Sequence, residues 1–206
     1  LMIASLRGFR GFGKAQDEGV WLHGRHDALA DKRVLVVGAG SVGRAVADRL
    51  SGFEVDIVMV ARRARADLHA VSELPDLLPD ADVVVLTVPL TDATYKLVDA
   101  AFLRVMKSGS LLVNVSRGSV VDTDALLREL DSGRLRAALD VTDPEPLPYD
   151  HPLWRAPNVM ISPHVGGDTS AFLPRAWRLV SEQLTRFVAH DQLLHVVAGP
   201  SPGGRG

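Results

Sequence analysis

Arg33-Val34-Leu35-Val36-Val37-Gly38-Ala39-Gly40-Ser41-Val42-Gly43 carries the decisive information about the fold. The run from Arg33 to Val37 is short, apolar and rich in β-branched residues, the composition of a strand. It leads directly into Gly38-x-Gly40-x-x-Gly43, and a helical pattern opens at Ser41. Glycines are common in turns, so G-x-G-x-x-G alone is a weak signal. Between a strand and a helix it becomes a strong one. Gly38 and Gly40 can make the tight turn and admit a pyrophosphate to backbone N–H groups at the helix N-terminus, while Gly43 lets the helix lie close to the strand. An ordinary strand-to-helix turn is the weaker reading here.

Outward from this stretch, apolar runs recur at 55–60, 83–88, 111–115, 137–141 and 159–161. Several are nearly continuous rather than alternating, as in parallel strands covered on both faces. Helical patterns fill the gaps at 42–50, 74–78, 100–106 and 123–130. The alternation predicts a doubly wound α/β domain with a mainly parallel sheet of about six or seven strands. Residues 1 to 16 have helical spacing and lead through Gly19 and Trp21 into a polar connection. Near the other end, 169–189 carries Phe172, Ala176, Leu179, Val180, Gln183, Leu184 and Phe187 in an amphipathic stripe. We expect residues 1–190 to form the dinucleotide-binding domain and 191–206 a C-terminal tail that is Gly- and Pro-rich from 199.

The 206 residues are 47% hydrophobic and carry a formal charge of −2, which argues against nucleic acid as a partner. Cysteine is absent, so disulfides, thiolate metal sites and cysteine nucleophiles are excluded, and a cytoplasmic location is expected. No metal site is expected. No apolar run approaches the ~18 residues of a membrane span, and no charged segment with a cleavage site opens the chain. Leu1 opens a helical stretch rather than a loop, so upstream sequence is expected to be missing.

In the dinucleotide fingerprint, an acidic residue at the end of the second strand binds the ribose hydroxyl of NAD. That strand ends here in Ala61-Arg62-Arg63-Ala64-Arg65. A guanidinium there suits a 2′-phosphate, so NADP is expected over NAD, with Arg62 the first choice for contact and Arg63 and Arg65 readable as a solvated loop.

Ligands of open parallel sheets sit beyond the carboxyl ends of the strands. Thr87 to Thr91, Asn114 to Gly118, Asp140 to Pro146 and Ser162 to Gly167 all lie at such ends. A lone Arg, Glu or His on a loop is usually a surface residue, but one of each at strand ends shifts the balance. Reduction of a 2-keto acid needs a cation for the carboxylate, a proton donor near neutral pH and a partner for the donor. Arg117 can supply the first, His164 the second and Glu145 the third.

The motifs Gly38 to Gly43, Val88-Pro89-Leu90-Thr91, Asn114 to Asp122, Leu139 to Pro148, His151-Pro152-Leu153-Trp154 and Pro163 to Gly167 resemble the NAD(P)-binding, Rossmann-type domain of the D-isomer-specific 2-hydroxyacid dehydrogenases. That family includes D-3-phosphoglycerate dehydrogenase and glyoxylate/hydroxypyruvate reductase. The resemblance implies a catalytic set at Arg117, Glu145 and His164 and a carboxamide contact at Asp140. Further cofactor contacts are implied at Gly38, Gly40, Ser41, Val42, Gly43, Arg62, Val88, Pro89, Ser116 and Gly166. The Arg62-Arg63 ending is similar to the NADP-preferring reductases; Thr142 stands where the family often has Phe.

The resemblance leads us to expect that most of the family's substrate domain is missing from this sequence and that the tail is a remnant of the segment returning to it. A substrate site would then be half built, because closure between domains excludes water. The implied partner is a small 2-keto or 2-hydroxy acid, and the implied assembly is a homodimer, consistent with exposed Phe9 and Phe12. The alternative function is a nucleotide-binding module without turnover, serving in redox sensing or assembly.

Overall fold

In the computed structural model, which describes residues 1–65, 67–194 and 196, seven parallel strands form one sheet. They are β1 (Arg33–Val37), β2 (Asp56–Ala61), β3 (His69–Ala70), β4 (Val83–Leu86), β5 (Leu111–Asn114), β6 (Arg136–Leu139) and β7 (Val159–Ile161), in the order β3-β2-β1-β4-β5-β6-β7. Pairing starts from β1 in both directions, to β2 and to β4, so the topology reverses at β1. That reversal is where dinucleotides bind in doubly wound folds.

Strand residues alternate between two buried layers. Val34, Val36, Val83, Val85, Leu111 and Val113 face one side with Leu6 and Leu50, and Leu35, Val37, Val84, Leu86 and Leu112 face the other. Each of these side chains is worth roughly 1.5–3 kcal/mol when fully buried, which is why the strands read as continuous apolar runs. Leu6 belongs to α1 (Met2–Leu6) and Leu50 to α3 (Ser41–Leu50). The opposite layer is completed by Leu74 of α4 (Leu74–Leu77), Phe102 and Leu103 of α5 (Ala100–Val105), and Leu126 and Leu130 of α6 (Thr123–Asp131). Asp99 and Asp122 cap α5 and α6 by accepting from the N–H groups of Phe102 and Ala125 at 2.8 and 3.0 Å.

Three features differ from the sequence reading. The single helix expected over 1–16 is two, α1 and α2 (Phe9–Asp17), because Gly8 takes φ +71° between them. The runs at 83–88 and 137–141 leave the sheet at Leu86 and Leu139; Val141 is still buried, and apolar patterning reports burial rather than pairing. β3 has only two residues, too few to show a period.

Leu1–His164 form one compact unit and the chain from Val165 forms a second. In the second, α7 (Phe172–Val188) has no buried residue. The Gln183 carboxamide donates to the Leu194 carbonyl and accepts the Leu194 N–H at 3.0 Å, so the segment after the helix returns along it. The remainder of the 191–206 tail, residue 195 and residues 197–206, lies outside the described residues. Among the described residues, no helix is long and apolar enough to cross a membrane.

Candidate active site

The glycine loop owes its shape to contacts that side chains would prevent. Gly38 has φ +118°, and a Cβ there would stand 2.7 Å from Thr87 Oγ1 and 2.9 Å from the Val88 nitrogen. At Gly43 a Cβ would lie 1.8 Å from the Gly38 carbonyl oxygen, so α3 can begin against the loop only with glycine there. Gly40 differs: it is the N-cap of α3, no side chain caps the helix, and a Cβ would meet nothing within 4 Å. The helix start at Gly40, Ser41 and Val42 is thus exposed, with first-turn N–H groups that no side chain caps, where an anion is favoured. Thr87 Oγ1 donates to the Gly38 carbonyl at 2.8 Å and holds the loop to the end of β4.

A cavity of about 630 Å³ extends from this loop past the ends of β2 and β4. Gly38, Ala39 and Gly40 form one wall, Thr87, Val88 and Pro89 another, and Ala61, Arg62 and Arg65 a third. Val60, Leu68, Val71 and Leu97 add an apolar part suited to a planar base. Arg65 joins Arg62 on the lining, both of them exposed, while Arg63 does not line the cavity. Uncapped N–H groups beside a side-chain-free glycine, with guanidinium groups further along, fit a dinucleotide.

A smaller cavity, about 280 Å³, lies beyond β6 and β7 and is lined by Asp140, Glu145, Ser162 and His164 among others. His164 Nδ1 lies 2.6 Å from Glu145 Oε1. The His164 backbone has φ +54°, unusual for a residue with a side chain, and its N–H donates to the Asp140 carbonyl at 2.8 Å. Asp140 is buried, and its carboxylate accepts from Ser162 Oγ at 2.5 Å. Trp154 closes one side of this cavity and donates from Nε1 to the Pro148 carbonyl at 2.8 Å, fixing the 144–148 loop that carries Glu145.

Arg117 is exposed, on the loop after β5. Its Nη1 donates to the Ser116 carbonyl at 2.6 Å, and among the described residues it shares no hydrogen bond with Glu145 or His164. Its loop nevertheless rests on the one that bears Glu145: a Cβ at Gly118 would meet the Thr142 carbonyl oxygen, and Thr123 Oγ1 donates to the Asp143 carbonyl at 2.9 Å. Ser116 is buried, with its N–H and hydroxyl both directed to Asn114 Oδ1 at 3.0 and 2.8 Å. Gly166 falls in the second unit. Phe9 is exposed, whereas Phe12 is only partly so, packing edge-on against His26 with ring centroids 4.7 Å apart.

The sequence reading places Thr87 and Ser162 at strand ends but gives neither a role of its own. A hydroxyl directly after an apolar strand was the available signal for both.

The profile of the D-isomer specific 2-hydroxyacid dehydrogenase, NAD binding domain, matches residues 1–166. The chain belongs to this family. It is 40% identical over 163 residues to a glyoxylate reductase of Thermofilum pendens, covering 76% of this chain and 48% of that protein. It is 42% identical over 145 residues to glyoxylate/hydroxypyruvate reductase B of Citrobacter koseri, covering 67% and 45%. Among solved structures, a D-isomer specific 2-hydroxyacid dehydrogenase from Xanthobacter autotrophicus Py2 in complex with NADPH and MES superposes with TM-score 0.82 at 33% identity, covering 96% of this chain and 83% of that one. An NAD-dependent formate dehydrogenase from Staphylococcus aureus in complex with NAD gives 0.79 at 30% identity, covering 97% and 63%. The chain spans about half the length of those two curated reductases. The seven-stranded parallel sheet is the fold expected of the family's nicotinamide-binding domain.

Proposed function

We propose that this chain is the cofactor-binding part of an NADP-preferring oxidoreductase that interconverts small 2-keto and 2-hydroxy acids, with Arg117, Glu145 and His164 as its catalytic residues. The observation that carries this reading is the 2.6 Å contact between His164 Nδ1 and Glu145 Oε1, at the same carboxyl end of the sheet as the glycine loop. When bound, the nicotinamide supplies or accepts the hydride.

The chain's own residues do the rest. With Nδ1 engaged by Glu145, the remaining imidazole nitrogen, Nε2, is the one available to the substrate. It gives a proton to the carbonyl oxygen in reduction and takes it from the hydroxyl in oxidation. Charge gathers on that oxygen as the carbonyl is reduced, so a donor and a nearby cation fixed in advance lower the barrier. Arg117 keeps Nε and Nη2 for the substrate carboxylate, a pairing suited to a guanidinium fork. The Asp140 carboxylate, held by Ser162, accepts from the cofactor's carboxamide. Gly38, Gly40 and the start of α3 hold the pyrophosphate, with Val88 and Pro89 across the cavity.

The NADP preference rests on Ala61, which puts no carboxylate at the end of β2, and on Arg62 and Arg65 at the cavity wall. A 2′-phosphate would be repelled by a carboxylate and bound by guanidinium groups. Titration of NADPH and NADH onto the protein tests this. NADPH is expected to bind more tightly, and Arg62→Ala to weaken it selectively by roughly 1–3 kcal/mol; tighter NADH binding would overturn the preference. The reading extends to a cytoplasmic homodimer, for which exposed Phe9 offers an apolar contact.

A further inference from the structure

At the amino ends of β6 and β7, opposite the carboxyl-end cavities, lies another cavity of about 510 Å³, bounded by α1, α2 and the 155–160 segment. Among the described residues, four permanent cations line it, Arg10, Lys14, Arg136 and Arg155, with His26 beside them and no carboxylate on the lining. The chain holds 25 acidic against 23 basic residues, so a general excess of base does not explain the cluster.

Two of these four cations, Arg10 and Arg155, have no acidic partner among the described residues. Arg10 is fixed by donating from Nη1 to the Val159 carbonyl at 2.9 Å and from Nη2 to the Trp154 carbonyl at 3.1 Å, both uncharged acceptors. Arg155 forms no ion pair among the described residues. Arg136 pairs with Asp27 at 3.0 Å, and Lys14 lies 3.8 Å from Glu18, an exposed pair of the kind worth little. His26 is held against Gly8, where a Cβ would stand 3.1 Å from its Nδ1. Gathering like charges around a concavity costs repulsion that grows as water is excluded. A bound anion removes that cost.

We propose that this cleft binds a small oxyanion with two or more negative charges, a phosphorylated or polycarboxylate metabolite, at a site separate from the dinucleotide cavity. Guanidinium forks match both kinds of anion, and Arg10 is already held in place before any ligand arrives. The site is built on β6 and β7, whose opposite ends lead to Asp140 and His164.

The test is a ¹⁵N–¹H titration of the 206-residue chain with inorganic pyrophosphate and, separately, citrate. The amides of Gly11 and Asn158 report on the cleft, and those of Gly40 and Ser41 on the glycine loop. Saturable shifts at Gly11 and Asn158 are expected with at least one anion, weakened about tenfold or more in Lys14→Glu/Arg155→Glu. The Gly40 and Ser41 responses should keep their wild-type midpoint. The tighter-binding anion identifies the ligand class. Both substituted side chains are exposed, and Arg155→Ala with the same readout replaces the double variant if that misfolds. Failure of both anions to saturate Gly11 and Asn158, or unchanged affinity in the variants, overturns the proposal.

Discussion

Gly118 lies so close to Thr142 that a Cβ at 118 would stand 1.8 Å from the Thr142 carbonyl oxygen. This approach seats the loop bearing Arg117 on the loop bearing Glu145. Gly118→Ala must push backbone away from backbone, which no rotamer change relieves. Overpacking of this kind costs roughly 1–3 kcal/mol. We expect a lower urea midpoint with an unchanged slope, together with reduced turnover as the two loops separate. Wild-type values for both would show that the loops do not depend on this contact.

If His164 is the proton donor, as proposed, removing it has a larger and purely chemical effect. In the catalytically active protein, His164→Ala is expected to lower kcat by about 10²–10⁴-fold. Glu145→Gln keeps the shape but weakens the grip on Nδ1, so its kcat should fall between wild type and His164→Ala. Steady-state kinetics on both variants decide this, and full turnover in His164→Ala would remove the histidine from the mechanism.

Ser162 acts through Asp140, whose carboxylate it holds at 2.5 Å. Ser162→Ala takes away a charge-assisted hydrogen bond, worth about 1.5–3 kcal/mol. If Asp140 positions the cofactor, dissociation constants for the dinucleotide should rise by roughly tenfold or more, while Ser162→Thr, which keeps the hydroxyl, restores most of the affinity. Fluorescence titration reads both. A loss of stability with unchanged cofactor affinity would make Ser162 a structural residue only.

Acid should destabilise the fold through two carboxylates. Asp122 is held below the ordinary aspartate range by the Ala125 N–H and then by Lys96 at 3.1 Å. At Asp82 burial works the other way but is outweighed by Lys107 and the Arg33 N–H, so that group is also lowered. A lowered folded-state pKa means that the contribution is complete above the unfolded value of about 4 and is lost as pH falls through the folded value. Urea midpoints should therefore hold from pH 7 to 5 and drop below pH 4. Asp122→Asn, which can still cap α6, should show a smaller drop.

The strands, the glycine loop and the polar residues at strand ends were legible because each is written in a few consecutive residues. β-Branched runs, the G-x-G-x-x-G spacing and the Ala61-Arg62 ending are local signals set by backbone sterics, burial and charge. Contacts between separate segments were not legible in this way. Glu145 and His164 are 19 positions apart, and they meet because β6 and β7 pair in register and His164 adopts a left-handed backbone. Thr87 finds the Gly38 carbonyl 49 positions back, and Ser162 finds Asp140 across neighbouring strand ends. The cationic cleft draws on residues from Ala4 to Met160, none of them conspicuous along the chain. Local patterns follow from the energetics of neighbouring residues, whereas these meetings depend on strand order and register, which emerge only when distant segments bury their apolar faces together.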